Sequence, residues 1–145
     1  MLKAGYAQEV ITPPAGVGLQ GYFNERPNEG RYDDLFVKVV AMEIDGKRTG
    51  VVSLDLCSIT RVMFEKLKEK IDAEFGAGLY ENLLICATHT HTGPFLAPTT
   101  MFEADPEPIL AYAKFLGTKV LEAAKLALAD VKPARMGYIV GYAPE

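Results

Sequence analysis

Apolar and polar positions change their period along this chain, and the changes mark out its elements. Residues 4–11 (Ala-Gly-Tyr-Ala-Gln-Glu-Val-Ile) read as a short strand stopped by Thr12-Pro13-Pro14. Residues 15–34 follow no sustained period; four glycines, Pro27 and two asparagines make them a loop long enough to suggest a function. Phe36–Ile44 and Thr49–Cys57 alternate as strands around Asp45-Gly46, so they predict an antiparallel hairpin. The second of these strands is mostly apolar, as an interior strand is. Apolar residues then recur at Met63, Phe64, Leu67, Ile71 and Phe75, the three-and-four spacing of a helix capped by Ser58 or Thr60 and ended at Gly76. Leu83–Thr88 is a buried strand, and 92–106 a second loop. Pro108 fits the first turn of another helix, with Ile109, Leu110, Phe115, Leu116, Val120, Leu121, Ala124 and Leu128 on its buried side. Arg135–Tyr142 reads as a last strand.

The order β-β-β-α-β-α-β predicts an α/β fold: a mixed sheet with helices packed on it, containing one parallel βαβ unit. In such sheets ligands gather beyond the carboxyl ends of the parallel strands. Asp55 and His89 both fall at such ends.

Composition narrows the class. The chain has 145 residues, 49% of them apolar, which suffices for one domain with a real core. Its formal net charge is −4 and its Lys and Arg are dispersed, which argues against a nucleic-acid partner. No apolar run approaches the roughly 20 residues of a membrane-spanning helix. Residues 1–6 reach polar positions at once, without the apolar core of an export signal. Cys57 and Cys86 are isolated in apolar strand contexts and read as buried reduced thiols. The expected location is cytoplasmic.

Chemistry concentrates in Ala87-Thr88-His89-Thr90-His91-Thr92-Gly93-Pro94, which holds the two histidines of the chain. If strand alternation persists, both imidazoles project from one edge and Thr88, Thr90 and Thr92 from the other. Two neutral imidazoles at a strand terminus suit zinc, but a catalytic zinc takes three protein ligands and keeps one position open. A histidine pair that only hydrogen-bonds within a turn is the plain alternative.

Other residues carry weaker signals. Asp55 interrupts an aliphatic run, which is costly unless its carboxylate is paired, bound or capping the next helix. Asp33 reads either as a solvated turn or as a carboxylate orienting an imidazole from behind. Gly16-Val17-Gly18-Leu19-Gln20-Gly21 matches a dinucleotide fingerprint literally, yet no helical period follows to receive a pyrophosphate. Gly18 and Gly21 fit better as places where the backbone comes close to a substrate or another group. A cysteine nucleophile at Cys86 is disfavoured, since a regular strand points it away from His89.

Three segments together resemble one family. They are Gly5 with Ile11-Thr12-Pro13-Pro14 and Gly21-Tyr22; Asp33-Asp34-Leu35; and Ala87 to Pro94. In this order they resemble the amino-terminal part of the neutral/alkaline, non-lysosomal ceramidases, over the whole 145 residues. The resemblance implies a zinc-dependent amide hydrolase in which His89 binds the metal and His91 is catalytic, lining the site near the scissile amide. It also implies that residues 1–145 are one domain, the amino-terminal portion of a larger catalytic domain. The other ligands, a His, a Glu and a Tyr, would then come from the remainder of the protein or from a second chain. The expected substrate is a lipid or other small-molecule amide, although Thr92 and Phe95-Leu96 stand where the family has Ser and small residues. Another zinc hydrolase, such as an aminopeptidase-like enzyme, and a non-catalytic binding module are the rival readings.

Overall fold

The computed structural model describes residues 1–76, 82–97 and 105–142. Its elements run β1 (Lys3–Val10), β2 (Phe36–Ile44), β3 (Lys47–Leu54), α1 (Arg61–Phe75), β4 (Asn82–Ala87), α2 (Pro106–Ala129) and β5 (Lys132–Pro133). The strands form a five-stranded sheet in the order β4-β3-β2-β1-β5. All neighbours are antiparallel except β3 and β4. The expected mixed sheet with helices packed on it is therefore what forms. Of the loop expected over 92–106, residues 98–104 lie outside the described residues.

Local chemistry accounts for the boundaries. Asp45 and Gly46 take positive φ, +50° and +79°, the left-handed pair that a tight turn between twisted strands requires. Thr60 caps α1 by accepting the Met63 amide, and Asp105 caps α2 by accepting that of Glu107, with Pro106 in the first turn.

Both helices lie on one face of the sheet. Val37, Val39, Ala41, Val52, Leu54 and Ile85 point from it into a core shared with Leu67 and Ile71 of α1 and Leu116, Val120, Ala123 and Ala127 of α2. Gly5 lets α2 settle onto β1: a Cβ there would sit 2.1 Å from the Ala127 carbonyl oxygen. Tyr112 reaches from α2 to donate its hydroxyl to the Ile11 carbonyl at 2.6 Å, and burial pushes the phenol pKa up.

The opposite face is uncovered among the described residues. Tyr6, Val40, Val51 and Leu84 run across it in register, and β4 lies on the sheet's edge. Among the described residues β4 is thus a parallel strand with one open edge, beside a half-exposed apolar row.

The final strand departs from expectation. Residues 135–142 form no strand; β5 is the pair Lys132–Pro133 against β1, and Tyr138, Ile139 and Val140 are almost wholly exposed. Alternation in sequence makes a strand only where the segment pairs with a sheet edge; β5 takes the Lys3 and Ala4 end of β1, and residues 135–142 stay outside the sheet. Strand β3 also ends earlier than its apolar run, at Leu54, because the Leu56 amide turns back to the Leu54 carbonyl.

Two measurements check this packing. Gly5→Ala should destabilise the fold by about 1–3 kcal/mol or more in denaturant unfolding, because β1 and α2 must separate. Asp130 accepts from Lys132 Nζ at 2.8 Å and from the Tyr6 amide at 3.1 Å, and in that order these bonds hold its carboxyl below the usual carboxylate range. A depressed folded pKa stabilises above the unfolded value and is lost as pH falls through the folded one. Asp130→Asn should therefore lower the Tm at neutral pH and converge with the parent in acid.

Candidate metal centre

Strands β3 and β4 end side by side, Leu54 opposite Ala87. Past that register the backbone is tied twice more: Thr88 N–H donates to Leu54 O and His89 N–H to Leu56 O, each at 3.0 Å. These bonds set His89 beside Cys57. His89 itself adopts φ +65°, a left-handed conformation uncommon for any residue but glycine. The regular strand has stopped at Ala87, so the expected alternation is not what aligns the rings. A left-handed residue followed by a turn does it instead.

The outcome is a close imidazole pair. The Nε2 atoms of His89 and His91 are 3.4 Å apart, with ring centroids 4.9 Å apart and planes at 78°. His89 Nδ1 lies 2.7 Å from the Cys57 carbonyl oxygen. Donation to that acceptor puts the proton on Nδ1 and leaves the Nε2 lone pair directed at His91. Both histidines are exposed, so the pair opens to solvent. Two nitrogen ligands on tetrahedral zinc lie about 3.3 Å apart, given Zn–N near 2.0–2.1 Å, so the spacing fits.

His91 is held from behind by the loop between β1 and β2. Gly21, at φ +109°, passes so near the ring that a Cβ there would sit 2.5 Å from His91 Cγ. Tyr22 meets the same ring edge-on at 6.1 Å and carries Arg26 over its own face, 4.5 Å from the centroid. This loop is stitched rather than irregular. Amides of Gly16 and Leu19 donate to Asn28 and Arg26, Asn28 N–H donates to Val17 O, and the Gln20 amide reaches Gly93 O. The buried Asn28 side chain bonds the carbonyls of Pro13 and Pro14 and accepts from the Gly30 amide.

The structure thus brings together His89, His91 and Gly21. Gly18 stands one remove away: its carbonyl accepts the Phe95 amide at 3.0 Å, and its missing Cβ faces the Phe95 ring. Asp55 points elsewhere. Its carboxylate accepts from the Phe36 amide at 3.0 Å and pairs with Lys38 Nζ at 3.1 Å, securing the end of β2. Asp33 is exposed in the bend before β2; its neighbour Asp34 accepts from Thr12 Oγ1 at 2.7 Å and from Arg31.

Cys57 was not legible as a site residue, yet its sulfur lies 3.9 Å from His89 Nδ1. The ligating atoms of Cys57, His89 and His91 all fall within 4.8 Å of one another. A signal existed: in a βαβ unit the residues just past the two strand ends must meet. Cys86, half-buried rather than buried, approaches the Val52 carbonyl at 3.7 Å instead.

This is an α/β domain with a histidine pair at the carboxyl end of its parallel strands. No protein-family model matches the chain. It is 33% identical over 90 residues to neutral ceramidase 1 of Arabidopsis thaliana and 32% identical over 90 residues to neutral ceramidase of Oryza sativa subsp. japonica, in each case across 59% of this chain. It spans 11% of the length of both. The crystal structure of neutral ceramidase from Pseudomonas aeruginosa superposes on 91% of this chain and 22% of its own, with a TM-score of 0.77 at 22% identity, so it has the same fold over that part. The chain accordingly resembles a piece of the neutral ceramidases, as its motifs indicated. No helix among the described residues is long and apolar enough to cross a membrane.

Gly21→Ala should push His91 away from His89 and force a strained φ. We expect the His91 imidazole resonances to shift in NMR spectra while those of the sheet core stay in place.

Proposed function

We propose that this chain carries part of the catalytic centre of a zinc-dependent amide hydrolase of the neutral ceramidase type, acting on N-acyl lipid amides. The observation that carries the reading is the imidazole pair with 3.4 Å between its Nε2 atoms, built on a left-handed His89. Similarity to curated neutral ceramidases supports the choice of amide bond and lipid.

His89 is the metal ligand, its Nδ1 proton committed to the Cys57 carbonyl and its Nε2 free to bind. Bound zinc supplies a Lewis acid that polarises the carbonyl and acidifies a water. His91, across from it, carries a proton to the amide nitrogen or to the developing oxyanion. Gly21 and Tyr22 keep that ring in place. The remaining ligands come from the rest of the same polypeptide or from a second chain, and with them the pocket for the acyl chain.

The test uses the protein that completes the site. His89→Ala should abolish both bound zinc and N-acyl lipid hydrolysis. His91→Ala should keep zinc and lower kcat by roughly 10²–10⁴-fold, the usual range for a lost acid–base group. Stoichiometric zinc in the His89 variant would refute the assignment, and hydrolysis of short peptides in place of N-acyl lipids would refute the substrate class. The 145-residue chain alone should show no amidase turnover.

A further inference from the structure

We infer that the apolar cleft between the first half of α2 and the β1–β2 loop is a second ligand site. It takes the hydrocarbon chain of a single-chain carboxylate, with the head group at Arg31. The inference goes beyond the hydrolase reading and uses none of its residues.

The cleft has two walls. On α2, Pro108, Ala111, Tyr112 and Phe115 share one face at helical spacing, opposite residues 13–17 and 28–31 of the loop. Between them lies a cavity of about 770 Å³, inside the roughly 300–1,000 Å³ of small-ligand sites. Both walls are fastened. Buried Asn28 donates from Nδ2 to the Pro13 and Pro14 carbonyls at 3.0 and 3.2 Å, and the Tyr112 hydroxyl holds the Ile11 carbonyl. The space beside the loop is open: a Cβ at Gly16 or Gly30 would meet nothing within 4 Å. A ligand therefore enters a cleft that is already ordered.

The lining selects the occupant. Its polar side chains are already bonded: Thr12 Oγ1 donates to Asp34 at 2.7 Å and accepts the Leu35 amide at 2.9 Å, while Asn28 Oδ1 accepts the Gly30 amide at 3.1 Å. A peptide laid here would bury amides that find no partner, whereas a methylene chain has nothing to satisfy. Charge then sets the head group. Arg31 is the one charged residue among those lining the cleft, and its side chain is 59% exposed. Its Nη1 binds Asp34, and a guanidinium has further N–H donors in a fork that matches a carboxylate. An alkylammonium head would meet the same cation and be repelled.

Isothermal titration of the 145-residue chain with decanoate, dodecanoate and tetradecanoate, each below its micelle concentration, tests this. One carboxylate should bind per chain, with affinity rising about fourfold per added methylene until the cleft is full. Ala111→Trp, at an exposed helix position, fills the cleft and should weaken dodecanoate about tenfold or more with an unchanged circular dichroism spectrum. Arg31→Gln should weaken decanoate about tenfold and leave decanol unchanged, a split that a merely disturbed loop would not give. Amide shifts on binding should gather at residues 12–17, 28–31 and the first half of α2. No saturable binding, undiminished binding by Ala111→Trp, or shifts centred on Tyr6 and Leu84 of the open sheet face would overturn the site. Equal affinity for dodecyltrimethylammonium and dodecanoate would overturn the carboxylate and the role of Arg31. If Ala111→Trp does not fold, the chain-length series and shift map of the parent decide. Zinc content and amide hydrolysis of the completed protein are read separately, and none of these outcomes alters them.

Discussion

Everything at the candidate centre depends on how the ends of β3 and β4 are tied together. Two amide-to-carbonyl bonds, Thr88 to Leu54 and His89 to Leu56, continue the parallel pairing past the last regular strand residues. They hold His89 at φ +65° against the preference of a side-chain-bearing residue. The strain turns the ring back over Cys57, whose carbonyl then selects its tautomer. A regular strand through the same residues would have set the two Cα atoms about two residues' rise apart, roughly 6.6 Å along the strand, without turning His89 back over Cys57.

The segments that carry the family resemblance turn out to be in mutual contact. Ile11 N–H donates to Leu35 O, and Thr12 Oγ1 accepts the Leu35 amide while donating to Asp34. Gly21 lies against His91, and Gln20 N–H donates to Gly93 O. Gly5, far from the histidines, serves the seating of α2 on β1. The motifs are thus one structure: two clasps that bring the β1–β2 loop alongside the turn after β4, and a small residue that lets the helix layer close beneath.

Among the described residues the sheet is covered on one face only. Its core is shared by both helices, whereas the row from Tyr6 to Leu84 lies half-exposed beside a parallel edge that no described residue pairs with. The chain spans about a tenth of the length of the curated ceramidases and about a fifth of the solved one. The histidine pair at the rim of this sheet is organised by this chain.

Where local patterns dominate, the sequence was sufficient by itself. Period and caps identified β1, the β2–β3 hairpin and both helices, because each depends on residues a few positions apart: Asp45-Gly46, Thr60, Gly76, Pro108. The Thr-His-Thr-His run pointed to the histidine pair for the same reason. Only the tertiary structure decided the rest. It left residues 135–142 outside the sheet, committed the Asp55 carboxylate to Lys38, stitched an apparently structureless loop through Asn28, and put Cys57 beside His89. The three pairings join residues 14 to 32 positions apart, and a pairing over that distance leaves no periodic trace in the chain that carries it.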